Sequence, residues 1–287
     1  MIIISDINEM QRLADEHRAG GRRIGFVPTM GFLHEGHLDL LRLARRASDI
    51  VVLSIFVNPT QFAAGEDLDR YPRDFERDCT LAESTGCDIV FAPKAAQMYP
   101  EGDASWVHVD QLGSSLEGAS RPTHFRGVTT VVTKLFHIVR PHLSVFGQKD
   151  AQQAAIIRRM TRDLHFGIDI VIAPIRREPD GLAMSSRNTY LSDQDRREAL
   201  ALSHALQLAR QKYDNGERRT AELRSTLLDE LQRSGAVDLD YAAIVHPDTF
   251  EPAGEMITGR VLIAIAARVG KTRLIDNMTL GEKAIDS

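Results

Sequence analysis

Apolar residues alternate along the first 175 positions between two spacings, one of a helix and one of a strand. After Asp6, a residue suited to an N-cap, Ile7, Met10, Leu13, Ala14 and His17 recur at helical intervals until Gly20 and Gly21 interrupt them. Residues 23–27 form a short apolar strand that Pro28 is expected to end, and Leu38, Leu40, Leu41, Leu43 and Ala44 mark one face of a helix beginning near Gly36. Residues 50–56 are continuously apolar and rich in β-branched side chains, as a strand covered on both faces would be. The same reasoning predicts helices at 75–85, at 127–139 and after Gly147, through Gln152, Gln153 and Ile156. It predicts strands at 88–91, 143–146 and 168–173, a weaker strand at 106–109, and loops at 65–73 and 93–103. Strands alternating with helices imply a parallel sheet joined by right-handed crossovers, with helices on both faces.

The pattern changes after Pro174. Arg176, Arg177, Glu178, Pro179, Asp180 and Gly181 carry strong turn signals, then two helical stretches at 194–214 and 220–233 precede strands at 239–245, 261–269 and 272–275. The expected architecture is therefore a Rossmann-like, doubly wound α/β domain over residues 1–175 and a smaller C-terminal α+β domain over 176–287.

Composition narrows the class. At 287 residues, with 43% hydrophobic and 26% charged positions, the chain has the balance of a water-soluble globular protein. A formal charge of -5 lacks the basic footprint of a nucleic-acid binder, and the arginine pairs at 22–23, 45–46, 158–159 and 196–197 are interleaved with acidic or apolar residues. Cys79 and Cys87 have no metal-ligand spacing around them and read as reduced structural thiols. No apolar run approaches the roughly 18 residues of a membrane span, and the first residues lack a signal-peptide pattern, so the cytoplasm is the expected compartment.

The candidate chemistry gathers where a strand hands over to a helix. His34 and His37 lie three residues apart at the expected helix start after the first buried strand, so both can aim donors at one anion that the helix N-terminus already favours. Gly31 and Gly36 allow tight backbone turns between strand and helix. In open α/β sheets ligands collect beyond the carboxyl ends of strands, which places Asn58 and Gln61 after one strand and Gly147, Lys149 and Asp150 after another. Met184, Ser185, Ser186 and Arg187 form a loop whose hydroxyls and guanidinium suit nucleotide phosphates. Neither other common phosphate loop is present: there is no Gly-x-Gly-x-x-Gly, and Gly270-Lys271-Thr272 has Ile265 where a P-loop needs its first glycine.

These residues bring the chain close to a known group. His34-Glu35-Gly36-His37 after a first strand resembles the signature of the nucleotidyl-transferring superfamily that includes class I aminoacyl-tRNA synthetases and cytidylyltransferases. A fuller resemblance, to the pantothenate synthetase family, rests on residues 28–37, Phe56-Val57-Asn58-Pro59-Thr60-Gln61-Phe62, Asp69-Arg70-Tyr71-Pro72-Arg73, residues 121–128, residues 146–153 and Met184-Ser185-Ser186-Arg187-Asn188. It implies ATP-dependent joining of pantoate to β-alanine through a pantoyl adenylate, with Mg²⁺, in a homodimer. It further implies that Met30, Gly31, His34, His37, Gly147, Lys149, Asp150, Arg176, Met184, Ser185, Ser186 and Arg187 serve ATP, with Gly147 and Asp150 on the ribose and Lys149 on the α-phosphate. His34, His37, Lys149 and Arg187 are then the catalytic residues, while Asn58, Gln61 and Gln153 hold pantoate. Gln148 and Ala151 depart from the family's frequent glutamate and tyrosine, and no separate task falls to each residue of 121–128. A nucleotidyltransferase that keeps the nucleotide in its product, or a nucleotide-binding sensor, would use the same histidines; release of AMP and pyrophosphate separates them from a ligase.

Overall fold

A computed structural model describes residues 1–63 and 65–281, so the part of the expected C-terminal domain at 282–287 lies outside the described residues. The chain divides into two compact units, one of residues 1–148 and 152–174, the other of residues 149–151 and 175–287.

Among the described residues of the first unit, six strands form one parallel sheet: β1 (Ile2–Ile4), β2 (Ile24–Thr29), β3 (Ile50–Ile55), β4 (Ile89–Phe91), β5 (Leu143–Gly147) and β6 (Asp169–Ala173), in the order β1-β4-β3-β2-β5-β6. Two side-chain layers cover it. On one face α1 (Ile7–Ala19) and α6 (His124–Val139) bury Met10, Ala14, Val128, Val132 and Phe136 against Ile24, Phe26 and Val52. On the other, α2 (Glu35–Ala47) and α3 (Phe75–Ser84) bury Leu38, Leu41, Ala44 and Ala82 against Val27, Val51, Leu53 and Val145. Successive strand residues point to opposite faces, so Phe26 and Val27 enter different layers. This is the doubly wound α/β arrangement.

Three local expectations are corrected. Pro28 does not end β2, which continues to Thr29 in register with β3 (Pro28 beside Ser54, Thr29 beside Ile55). A proline is accommodated because β5 pairs only with Gly25 and Phe26, leaving that side of the strand without a ladder at position 28. Residues 106–109 form no strand: the Val107 N–H donates to Thr130 Oγ1 (3.0 Å) and its carbonyl accepts from Thr129 Oγ1 (2.6 Å), so α6 side chains take the bonds a ladder would have made. The loop at 93–103 holds a short helix, α4 (Ala95–Met98); the turn α5 (Glu117–Ser120) and the strand β1 had no counterpart in the periodicity.

In the second unit, α8 (Asp193–Asp214) and α9 (Thr220–Arg233) pack against an antiparallel sheet of β7 (Val237–Val245), β8 (Val261–Val269) and β9 (Thr272–Leu280). Leu202, Leu206, Leu223 and Leu227 meet Ile263, Ile265 and Leu274 in its core. The third strand runs five residues past its expected end. Gly270 and Lys271 form the two-residue turn between β8 and β9, with Gly270 at φ 58, so the P-loop-like tripeptide is a hairpin.

Candidate active site

The strand order reverses between β2 and β5, the position at which open α/β sheets gather ligands beyond their carboxyl ends. What leaves β2 there is a tight, internally bonded loop. Thr29 Oγ1 donates to the Ser54 carbonyl (2.8 Å) and accepts from the Gly31 N–H (3.2 Å). Gly31 (φ 84) and Phe32 (φ 51) are both left-handed, which is costly for a phenylalanine. The Asp78 carboxylate, projecting from the first turn of α3 and 1% exposed, offsets that cost: it accepts from the Phe32 N–H at 2.7 Å and the Leu33 N–H at 2.6 Å. Burial pushes the Asp78 carboxyl above its ordinary range, although those two bonds and Arg77 oppose the shift. A side chain at position 31 would meet Asp78 Oδ2 at 2.9 Å, so glycine is required by space as well as by φ.

The loop delivers His34 to the N-cap of α2 and His37 to its first turn, both half-buried. Their rings stack, with centroids 4.0 Å apart and planes at 30°. His37 Nδ1 accepts from the His34 backbone N–H at 3.3 Å. An accepting Nδ1 carries no proton, so neutral His37 holds its proton on Nε2 and presents that nitrogen as a donor. The pair sits on the electropositive end of a 13-residue helix.

A second cluster lies beyond β3, in the short turn Pro59–Gln61. Asn58, expected to touch ligand, is 1% exposed and fully engaged by protein. Its Oδ1 accepts from Tyr99 OH (2.8 Å) and Thr60 Oγ1 (3.0 Å), while Nδ2 donates to Gln61 Oε1 (3.1 Å) and the Gly127 carbonyl (3.1 Å). Gln61 Nε2 donates to Met30 Sδ at 3.2 Å, which joins the strand-end loop to the amide cluster. The Gln61 carbonyl accepts from His124 Nδ1 (3.0 Å) and Arg121 Nη2 (3.4 Å), and Arg121 makes a two-pronged ion pair with Glu66 at 2.8 and 2.7 Å. Burial, with the Arg121 charge beside it, lowers the His124 pKa to about 4. Residues 121–128 thus acquire a task that sequence left blank: they hold the backbone of Gln61. On α7 (Ala151–Asp163), Gln152 binds the Glu117 N–H and the Leu112 and Ser115 carbonyls, whereas Gln153 is half-buried beside it.

Gly147 ends β5 in the first unit, and the second unit holds the remaining predicted residues. Lys149 and Asp150 belong to the turn Gln148–Asp150 that follows Gly147, with Asp150 exposed. The Lys149 carbonyl accepts from Asn277 Nδ2 at 2.9 Å. Arg176 and Met184 are joined by a backbone bond, Met184 N–H to the Arg176 carbonyl at 2.9 Å. Ser185 caps the turn Ser186–Tyr190 by accepting from the Arg187 N–H at 3.2 Å; Ser186 is buried, and Arg187 is half-buried. Sequence reasoning missed Asp78, Tyr99, Glu66 and the pair Asp276 and Asn277, because each sits in an ordinary helix, loop or strand and gains meaning only from a partner far along the chain.

Comparison with known proteins decides the family. A family model described as pantoate-beta-alanine ligase matches residues 2–279. The chain belongs to the pantoate-beta-alanine ligase family. It is 56% identical over 280 residues to the pantothenate synthetase of Heliobacterium modesticaldum, covering 98% of this chain and 99% of that one, and 53% identical over 281 residues to that of Thermotoga neapolitana, covering 98% and 100%. The crystal structure of pantothenate synthetase from Thermus thermophilus superposes with a TM-score of 0.91 at 44% identity, covering 97% of this chain and 99% of that one. The pantoate-beta-alanine ligase of Francisella tularensis, complexed with beta-gamma ATP and beta-alanine, gives 0.79 at 32% identity, covering 97% of both. Within this ligase family the stacked histidines, the Asp78 clamp and the Gln61 cradle are features of this chain's own geometry. Among the described residues no group of three or more His, Cys, Asp or Glu side chains could hold a metal ion, and no helix is long and apolar enough to cross a membrane.

Proposed function

We propose that this protein joins pantoate to β-alanine at the expense of ATP, releasing AMP and pyrophosphate. The observation that carries the reading is the stacked His34–His37 pair at the start of α2, at the switch point of the sheet, in a chain matched by the ligase family from residue 2 to 279.

A carboxylate cannot acylate an amine until its oxygen becomes part of a leaving group. One pantoate carboxylate oxygen attacks the α-phosphorus of ATP, the bond from that phosphorus to the bridging oxygen breaks, and pyrophosphate departs with the electron pair. The β-alanine amine then attacks the acyl carbon of the mixed anhydride, loses a proton, and expels AMP. In the first step negative charge grows on phosphate oxygens. His34 and His37 stabilise it from the helix N-terminus, His37 through Nε2–H, and Lys149 and Arg187 supply positive charge. Met30, Gly31, Gly147, Asp150, Arg176, Met184, Ser185 and Ser186 complete the nucleotide contacts. Gln61 and Gln153 orient pantoate as neutral amides, which hold its carboxylate without quenching it as a salt bridge would. Asn58, saturated by protein partners, acts by fixing the Gln61 amide.

Half-buried imidazoles, amides and a guanidinium fit phosphate oxygens better than a bare divalent ion, so any Mg²⁺ used would be held chiefly by the nucleotide and water and would supply partial neutralisation of the phosphate charge. The mixed anhydride hydrolyses where water reaches it, so the reaction requires a site closed to water. The working form is a cytoplasmic homodimer, as the family resemblance implies.

The test is pyrophosphate release from ATP with pantoate alone, followed by AMP and amide formation when β-alanine is added. His37→Ala lowers the first step by about a hundred- to a thousandfold. Pyrophosphate release independent of pantoate, or none at all while ATP still binds, overturns the reading.

A further inference from the structure

Two adjacent residues of β9, Asp276 and Asn277, are polar, 3% exposed each, and engaged with segments far from them in sequence. Successive residues of a strand project to opposite faces, so this pair reaches two separate segments from one point of the backbone. Asp276 takes Arg177 in a fork: Nη1 to Oδ2 at 2.7 Å and Nη2 to Oδ1 at 3.0 Å. Its Oδ1 also accepts from the Asn277 backbone N–H at 2.8 Å, which ties the two side-chain systems together. Asn277 donates from Nδ2 to the Lys149 carbonyl at 2.9 Å, a span of 128 residues.

Both partners lead to residues assigned above to ATP. Arg177 pairs with Ala183 in an antiparallel bridge, and its Nη1 also donates to the Gly181 carbonyl at 3.0 Å. Backbone bonds from Met184 N–H to the Arg176 carbonyl (2.9 Å) and from Glu178 N–H to the Leu182 carbonyl (2.8 Å) close the same hairpin, which delivers Met184, Ser185, Ser186 and Arg187. Lys149 is itself the proposed α-phosphate contact. An ordinary structural pair would satisfy two buried polar groups locally; here the fork and the amide fix the two cationic segments of the second unit, Lys149 and the hairpin before Arg187, to one strand.

We infer that Asp276 and Asn277 are positioning residues that set Lys149 and the hairpin before Arg187 in register with each other for the phosphates of ATP. The inference rests on the functional reading above. It does not make either residue catalytic, since each acts through another. Its consequence is selective: loosening the station degrades use of ATP and leaves recognition of pantoate, which depends on Gln61 and Gln153, intact.

The decisive measurement is steady-state pyrophosphate release by Asn277→Ala and Asp276→Asn in the full chain, with β-alanine saturating and ATP and pantoate varied separately. The expected result is a rise of about tenfold or more in KM for ATP, the usual cost of losing a hydrogen bond to a charged group, with KM for pantoate unchanged. Misplaced Lys149 and Arg187 also lower kcat, whereas partial unfolding lowers only the active fraction and leaves both KM values alone, and thermal melts of both variants monitor it separately. If Asn277 works through Lys149, its effect shrinks in a Lys149→Ala background, and the cycle is non-additive. An unchanged KM for ATP, an equal rise for pantoate, or additivity in the cycle overturns the inference. If Lys149→Ala leaves ATP use untouched, the assignment of Lys149 falls and takes this inference with it; if Lys149→Ala impairs ATP use and Asn277→Ala does not, only the inference falls.

Discussion

Gly127→Ala offers a sharp test of the cradle that holds Gln61. Gly127 lies inside α6 in ordinary helical conformation, so alanine gains about 1 kcal/mol from helix propensity alone. Space reverses the sign. A Cβ there would stand 2.5 Å from the Thr60 carbonyl oxygen, 2.6 Å from its carbon and 2.7 Å from Gln61 Cα, all backbone atoms that no side-chain rotation can move. Relief needs a shift of roughly 1 Å between α6 and the turn Pro59–Gln61, and overpacking of this kind costs about 1–3 kcal/mol. The net loss is about 0–2 kcal/mol, a fall of a few degrees in melting temperature. Function should suffer more than stability, because the same shift moves Gln61 and stretches the bond from Asn58 Nδ2 to the Gly127 carbonyl. The expected result in pyrophosphate assays is a KM for pantoate raised by up to about a hundredfold, with KM for ATP changed far less. A variant more stable than wild type by about 1 kcal/mol, with pantoate kinetics unaltered, would refute the packing argument.

Two further outcomes concern titration. Burial holds Asp78 above its ordinary pKa, so the folded state binds the proton more tightly than the unfolded chain, and this group's contribution to stability declines as pH rises from 3.8 through its raised value. The stability difference between wild type and Asp78→Asn, followed by denaturant melts, should therefore move against wild type over that rise; a difference flat with pH contradicts it. His124, with a pKa of about 4, binds fewer protons folded than unfolded between that value and 6.5, so its contribution grows as pH rises through this window. Its imidazole proton resonances should stay at neutral-form positions down to about pH 5, and a midpoint near 6.5 would show that the ring is not held as described.

The periodicity of the chain determined the main elements of both units, because a buried parallel strand must be continuously apolar and a covering helix must repeat its apolar face. Thus residues 50–56, 143–146 and 168–173 read as strands and 127–139 as helix without any tertiary knowledge. The histidine pair was legible for the same reason: it sits where one period gives way to the other. What failed were features governed by partners. Residues 106–109 alternate like a strand but spend their backbone bonds on Thr129 and Thr130, and Pro28 looks like a stop until the absence of a β5 neighbour is known. Tertiary structure also sorted the polar residues. Asn58 reads as a ligand amide and proves saturated by Tyr99, Thr60, Gln61 and Gly127; Asp78 and Asp276 read as nothing, and both, like Asn277, prove to hold loops in place. A local pattern records which face of an element is apolar, a property fixed over a few residues. Which long-range hydrogen bond a buried amide or carboxylate makes depends on atoms brought to it from 41 to 128 positions away, and only the folded chain decides that.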